Sequence, residues 1–230
     1  MVSLMPVLSG NLDTGETEDL LGSEHSMDSV AWHPDGRLLA IAVEALYPSG
    51  PEVRIYDAQA HEVVQVIEMP EVVNKVEWNP DGTLLAAGSE DGTTTIWETA
   101  TWQVVRVIGD EEHNAAFRPA WSPDGSMIAA QGGTPTIGVW DAAAGDYLTT
   151  FTDGAGDGFY DVFWCPQGRY LAGFNTHTIQ VWDVVSEALV SETTVQEYLY
   201  HMAWSPDCRT IIYGGAGIFE PVCLECVGTE

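Results

Sequence analysis

A five-residue phrase, Trp-x-Pro-Asp-Gly, returns down the chain at nearly even intervals. It stands as Trp32-His33-Pro34-Asp35-Gly36, Trp78-Asn79-Pro80-Asp81-Gly82 and Trp121-Ser122-Pro123-Asp124-Gly125. Two weaker copies follow, Trp164-Cys165-Pro166-Gln167-Gly168 and Trp204-Ser205-Pro206-Asp207-Cys208. The tryptophans are spaced 46, 43, 43 and 40 residues apart. A period of that length, carrying a turn phrase and short apolar runs, is the signature of stacked supersecondary units. It constrains the fold far more tightly than the function.

One repeat reads as four short strands. Val76 and Trp78 alternate around the polar Glu77, as a half-buried strand does. Pro80-Asp81-Gly82 then reverses the chain: proline presets φ, aspartate bonds nearby backbone, and glycine supplies positive φ. Residues 84–88 are an apolar run of strand length, and Glu90-Asp91-Gly92 is a hairpin turn. Residues 93–97 are β-branched and end on an aromatic, and residues 103–108 form a fourth apolar stretch. The second strands are rich in small residues, including Ala40, Ala42, Ala86, Ala129, Ala172 and Gly173. Small side chains suit sheets that crowd toward a common axis, and radial repetition leaves only short, protected edges.

The third strands end in Ile55-Tyr56-Asp57, Ile96-Trp97-Glu98, Val139-Trp140-Asp141 and Val181-Trp182-Asp183. Together with the Trp-x-Pro-Asp-Gly phrase, these endings resemble the tryptophan–aspartate (WD) repeat family of β-propellers over about residues 20–213. The resemblance implies an all-β fold: a β-propeller of about five four-stranded antiparallel blades built from degenerate WD-type repeats. It also implies structural positions at Trp32, Trp78, Trp121, Trp164 and Trp204, and at Tyr56, Trp97, Trp140 and Trp182. Asp91 is the one turn aspartate placed as the family's buried tetrad requires. Gly50, Thr134 and Thr176 fill the matching places, so rigidity is expected to rest on apolar packing. Residues 117–125 also resemble a phrase of Tol-type periplasmic propellers, but the repeated Trp-Asp endings weigh against that family.

The expected organisation is a single domain over 1–230, with repeats starting near 28, 74, 117, 160 and 200. An N-terminal strand at about 16–21 is read as completing the last blade, which has two strands and a short segment over 222–227. The other reading is a fragment of a larger propeller, whose bare sheet edges would favour self-association.

Lys plus Arg number 7 against 35 Asp plus Glu, a formal net charge of −28. Such a field disfavours nucleic acid and anionic membrane, which are bound through basic patches. It favours a protein or peptide partner of basic character, or a high-salt habitat. The first ten residues have no basic signal-peptide region, and no apolar run is long enough to span a bilayer. The expectation is a cytoplasmic protein. Cys165 and Cys208 read as turn variants with free thiols, and Cys223-Leu224-Glu225-Cys226 is a lone CxxC without the further ligands of a zinc site.

Binding usually resides in loops on a rigid scaffold. One rim is expected from loops at about 23–28, 68–74, 110–118, 153–160 and 194–200, joined by the loops between second and third strands. The candidate partner-binding residues are Tyr47, Arg118, Tyr160, Tyr198 and Tyr200. Tyr47 lies in an insertion, and the other tyrosines have polar tips suited to anchoring an interface. Phe159 matches Met27 and Val73 of other repeats and reads as core. The leading function is a non-enzymatic interaction scaffold. The other is a small-ligand or metal-binding propeller, hydrolytic in one version, drawing on His113, Asp161, His177 and His201. No phosphate loop, nucleophile elbow or dinucleotide fingerprint occurs, and no cofactor is expected.

Overall fold

Every element of the described structure, a computed structural model, is a strand or a turn. It describes residues 8–10, 17–19, 25–45, 50–109, 116–132, 135–152, 158–195, 198–215 and 218–223. Strands β1 (Leu8–Gly10) and β2 (Thr17–Asp19) pair in a small hairpin, so the described partner of the 16–21 segment is β1. Four sheets follow, each of four antiparallel strands in meander order. The first contains β3 (His25–Trp32), β4 (Leu38–Ala45), β5 (Glu52–Asp57) and β6 (Glu62–Glu68). The second contains β7 (Val73–Trp78), β8 (Leu84–Ser89), β9 (Thr94–Glu98) and β10 (Gln103–Ile108). The third contains β11 (Pro119–Trp121), β12 (Met127–Gln131), β13 (Thr136–Asp141) and β14 (Tyr147–Thr152). The fourth contains β15 (Asp161–Trp164), β16 (Tyr170–Phe174), β17 (Thr178–Asp183) and β18 (Ala188–Thr194). The fifth has three described strands, β19 (His201–Trp204), β20 (Thr210–Gly215) and β21 (Ile218–Cys223). Its third strand therefore begins earlier than the 222–227 segment suggested. The chain divides into two compact units, 1–107 and 108–230.

The repeated phrase builds the same turn each time. The amide of its fifth residue donates to the carbonyl of its second: Gly36 to His33, Gly82 to Asn79, Gly125 to Ser122, Gly168 to Cys165 and Cys208 to Ser205. The turn requires positive φ at the fifth residue, from +72° to +77° at the four glycines and +59° at Cys208. The aspartate accepts from the amide two residues on, at 2.9 Å for Asp81–Thr83 and 3.0 Å for Asp124–Ser126. The Thr83 and Ser122 hydroxyls lead the effects that hold the Asp81 and Asp124 carboxyls below the ordinary aspartate range.

The tryptophan that opens the phrase joins one sheet to the sheet before it. Trp78 Nε1 donates to the Ala31 carbonyl at 3.0 Å, within the first unit. In the second unit Trp164 donates to Ala120 at 2.9 Å and Trp204 to Phe163 at 3.2 Å. In each case the acceptor is the residue immediately before the preceding sheet's own tryptophan. Apolar packing follows the same junctions. Ala40, Ala42, Val53 and Ile55 pack with Val76, Trp78 and Leu85 in the first unit. Ile137 and Phe151 pack with Phe159, Val162 and Trp182 in the second. The third-strand aromatics Tyr56, Trp97, Trp140 and Trp182 are all buried. Trp32 differs, being 54% exposed.

The acid that ends each third strand shapes the next turn. Asp57 accepts from the Gln59 and Ala60 amides, Asp141 from Ala143 and Ala144, and Asp183 from Val185 and Ser186. Arg37 and Arg169, each just after a phrase glycine, reach the other oxygen of Asp57 and Asp183. Asp91 caps its own hairpin turn, accepting from the Thr93 amide and hydroxyl at 2.9 and 2.7 Å.

One sequence expectation needs correction. Cys165 and Cys208 are not free thiols: they form a disulfide, with Cα atoms 5.5 Å apart. Repetition explains this, since a periodic chain brings the same turn of successive sheets together. The turn role itself remains, because Cys208 adopts the glycine conformation.

Candidate interaction surface

Two exposed tyrosines of the second unit, Tyr160 and Tyr198, flank one short turn. Residues 175–177 connect β16 to β17, and Asn175 Oδ1 stiffens the turn by accepting from the His177 and Thr178 amides. On one side, the Tyr160 hydroxyl is hydrogen-bonded with Thr176 Oγ1 at 2.9 Å, and its ring meets Phe174 edge-on. On the other side, the Tyr198 ring lies 4.9 Å from the His177 imidazole. The backbone holds both flanks, since the Tyr160 amide donates to Phe174, the Val195 amide to His177 and the Leu199 amide to Thr176. Tyr200 follows, anchored by its amide to Gly214.

Alternation along the chain decides which side chains face water. Phe159 and Leu199 are buried at 2% and 3%, while Tyr160, Tyr198 and Tyr200 are 54%, 59% and 61% exposed. Phe159 packs against Trp182 as core. Three tyrosines thus stand in water on a braced backbone, which limits the ordering cost that binding would otherwise incur.

Arg118 and Asp161 form an ion pair at 3.5 Å, with Asp161 opening β15 next to Tyr160. Tyr47 and His113 lie outside the described residues. His177 and Asp161 therefore have neighbours of their own, Tyr198 and Arg118. Among the described residues, no group of three or more His, Cys, Asp and Glu side chains stands together as a metal site would require. Sequence inspection named the tyrosines and put the loop at 175–178 in the rim; it missed that Thr176 and His177 contact Tyr160 and Tyr198, because each contact joins two separate loops.

The opposite end of these sheets has a different character. A cavity of about 550 Å3 is lined by Gln167, Arg169, Tyr170, Val190, Asp207, Cys208 and Arg209. Arg169 lies over the Tyr170 ring at 5.0 Å and donates to Asp183 at 2.8 Å.

Meander sheets joined by repeated tryptophan clasps define a β-propeller of five blades. The fold recurs in a solved structure of hydrazine synthase from Kuenenia stuttgartiensis, with a TM-score of 0.75 at 16% identity, covering 95% of this chain and 70% of that one. At that identity the likeness is one of fold alone. The family model described as eukaryotic translation initiation factor eIF2A matches residues 11–144, more than half of the chain. The chain belongs to that family. No curated protein matches it.

Proposed function

We propose that the chain is a non-enzymatic, WD-type propeller scaffold that presents its Tyr160–Tyr198–Tyr200 rim to a basic protein or peptide. The observation that carries this reading is the braced exposure of Tyr160 and Tyr198 at the 175–177 turn, with Tyr200 exposed two residues after Tyr198. Tyrosine gives large contact area at low conformational cost and attracts cations over its ring face. With a chain charge of −28, the surrounding field selects lysine- or arginine-rich partners and speeds their approach. The family description refers to the initiation of translation. In such a setting this acidic chain would meet basic protein segments, since the same field repels nucleic acid and anionic membrane. A cytoplasmic location accords with this role.

A pull-down from native lysate at the source's working salt tests it, with Tyr160→Ala/Tyr198→Ala as the comparison bait. Melting curves on both baits separate binding from folding. A basic partner held by the parent and lost by the folded variant supports the reading. Equal capture by both removes this rim from consideration.

A further inference from the structure

Cys165 and Cys208 occupy defined places in the repeat: the second position of the phrase in the fourth blade and the fifth position in the fifth blade. The same pair of positions meets between the first and second blades. There, His33 Nε2 donates to the Gly82 carbonyl at 3.1 Å, and a Cβ on Gly82 would run into the His33 ring. A Cβ on Gly168 would likewise point at Pro123 of the preceding blade, 3.8 Å away. The fifth position thus aims its side-chain direction at the preceding blade's turn. Cysteine at 208 puts sulfur in that direction, although it must hold φ at +59°, where glycine is at ease.

We infer that the Cys165–Cys208 disulfide is a redox-controlled clasp that sets the order of the tyrosine rim; this rests on the binding role given to that rim above. The link is strand β19, four residues long. At one end it continues from Tyr198, whose ring meets His177 of the 175–177 turn, and from Tyr200, whose amide donates to Gly214. At the other it ends in Trp204, whose bond to Phe163 at 3.2 Å is the longest of the three clasps, and then in Cys208. The disulfide closes 43 residues of chain and fixes that far end. Opening it leaves β19 to its sheet partner, the long Trp204 bond and the apolar cluster around Leu199, Met202 and Ile211.

Chemistry at the cavity admits the reaction. Cys208, 4% exposed, lines it with Arg169 and Arg209, whereas Cys165 is fully enclosed. A dithiol reductant attacks Cys208 Sγ as its thiolate, and the Cys165 sulfur leaves and takes up a proton. The reductant's second thiol then closes its own disulfide and releases the Cys208 thiolate. Two electrons and one proton pass from the reductant to the protein, Cys208 stays a thiolate, and the reductant's other proton goes to solvent. The Gln167 amide, which donates to Cys208 Sγ at 3.4 Å, favours that thiolate. Disulfides of reducing compartments are commonly transient ones of this kind.

The test is amide hydrogen exchange on the full-length chain carrying Cys223→Ser and Cys226→Ser, so that only this pair responds. Exchange over 198–204 is compared between air-oxidised protein and protein reduced with dithiothreitol and alkylated. Reduction is expected to weaken protection there by roughly tenfold to a hundredfold, as the loss of a loop-closing cross-link implies. Residues 171–174 of β16 should change far less. Cys208→Gly restores the turn's usual residue and folds without the bond. It should show the weakened protection with and without reductant. Unchanged exchange over 198–204 on reduction, or two free thiols in the air-oxidised protein, overturns the proposal. The readout needs no partner, so its failure is separate from a failed pull-down.

Discussion

Trp164 Nε1 donates to the Ala120 carbonyl at 2.9 Å, and the two residues belong to neighbouring blades. Ala120 and Trp164 are both buried, so the carbonyl has little recourse to water. Replacing Trp164 with Phe keeps an aromatic ring and deletes the donor. A buried acceptor left unpaired and a partly emptied site should together cost about 2–3 kcal/mol. Trp32→Phe alters a half-exposed ring and should stay within about 1 kcal/mol. Urea midpoints on the two variants check this. Equal losses would mean that the repeated tryptophan acts by bulk rather than through its indole proton.

Gly36 and Gly82 share φ of +74° but have different surroundings. Nothing lies within 4 Å of a Cβ at Gly36, whereas at Gly82 the His33 ring already fills that space. Alanine at either site is strained by about 1–2 kcal/mol for the left-handed backbone. At Gly82 the clash adds roughly another 1–3 kcal/mol, as overpacking does. Thermal melts should therefore rank Gly82→Ala well below Gly36→Ala. A reversed order would show that the His33–Gly82 contact is slack.

Periodicity made the architecture legible. The spacing of the five tryptophans marked the blades, and residues 84–88 and 103–108 were strands within a residue of their observed bounds. What stayed hidden depends on distances between repeats. Trp78 reads as a strand end in sequence, yet its proton donor serves the sheet before it. Cys165 and Cys208 each looked like a local turn substitution, because their pairing appears only when two turns are laid side by side. The site was half legible for the same reason. Tyr160 and Tyr198 were visible as aromatics in loops, but Thr176 and His177 acquire meaning only from what they touch.

Asp57 and Arg37 predict a specific acid limb. The Arg37 guanidinium, helped by the Ala60 amide, pulls the Asp57 carboxyl down to about 2. A depressed folded-state value means that the stabilisation is complete above the unfolded value, about 3.9. It is lost as pH falls from there through about 2. Over the range above, protonation of the other carboxylates relieves a charge of −28, and added salt screens it. Melting temperature at low ionic strength should thus rise from pH 7 toward pH 5 and fall below pH 4. Sodium chloride should flatten the first part and leave the second. Arg37→Gln should make the acid limb shallower, and an unchanged limb would show that the pair contributes nothing.

Gly173 offers a test of how closely the third and fourth blades pack. It sits in β16, where an added Cβ would lie 2.6 Å from Ile137 Cδ1 and 2.8 Å from Phe159 Cδ1. Its backbone is ordinary, so alanine there is a question of space alone. Ile137 and Phe159 are themselves fully enclosed, in the cluster that includes Trp182. Gly173→Ala should therefore cost about 1–3 kcal/mol, the usual range for overpacking. Ile137→Val removes the methyl nearest the new carbon and alone should cost about 1 kcal/mol through the cavity left behind. In the double variant the two volume changes offset, so the pair should lose less than the sum of the singles. Strict additivity in urea titrations would show that the blades adjust their spacing, and that Gly173 is not what lets them approach.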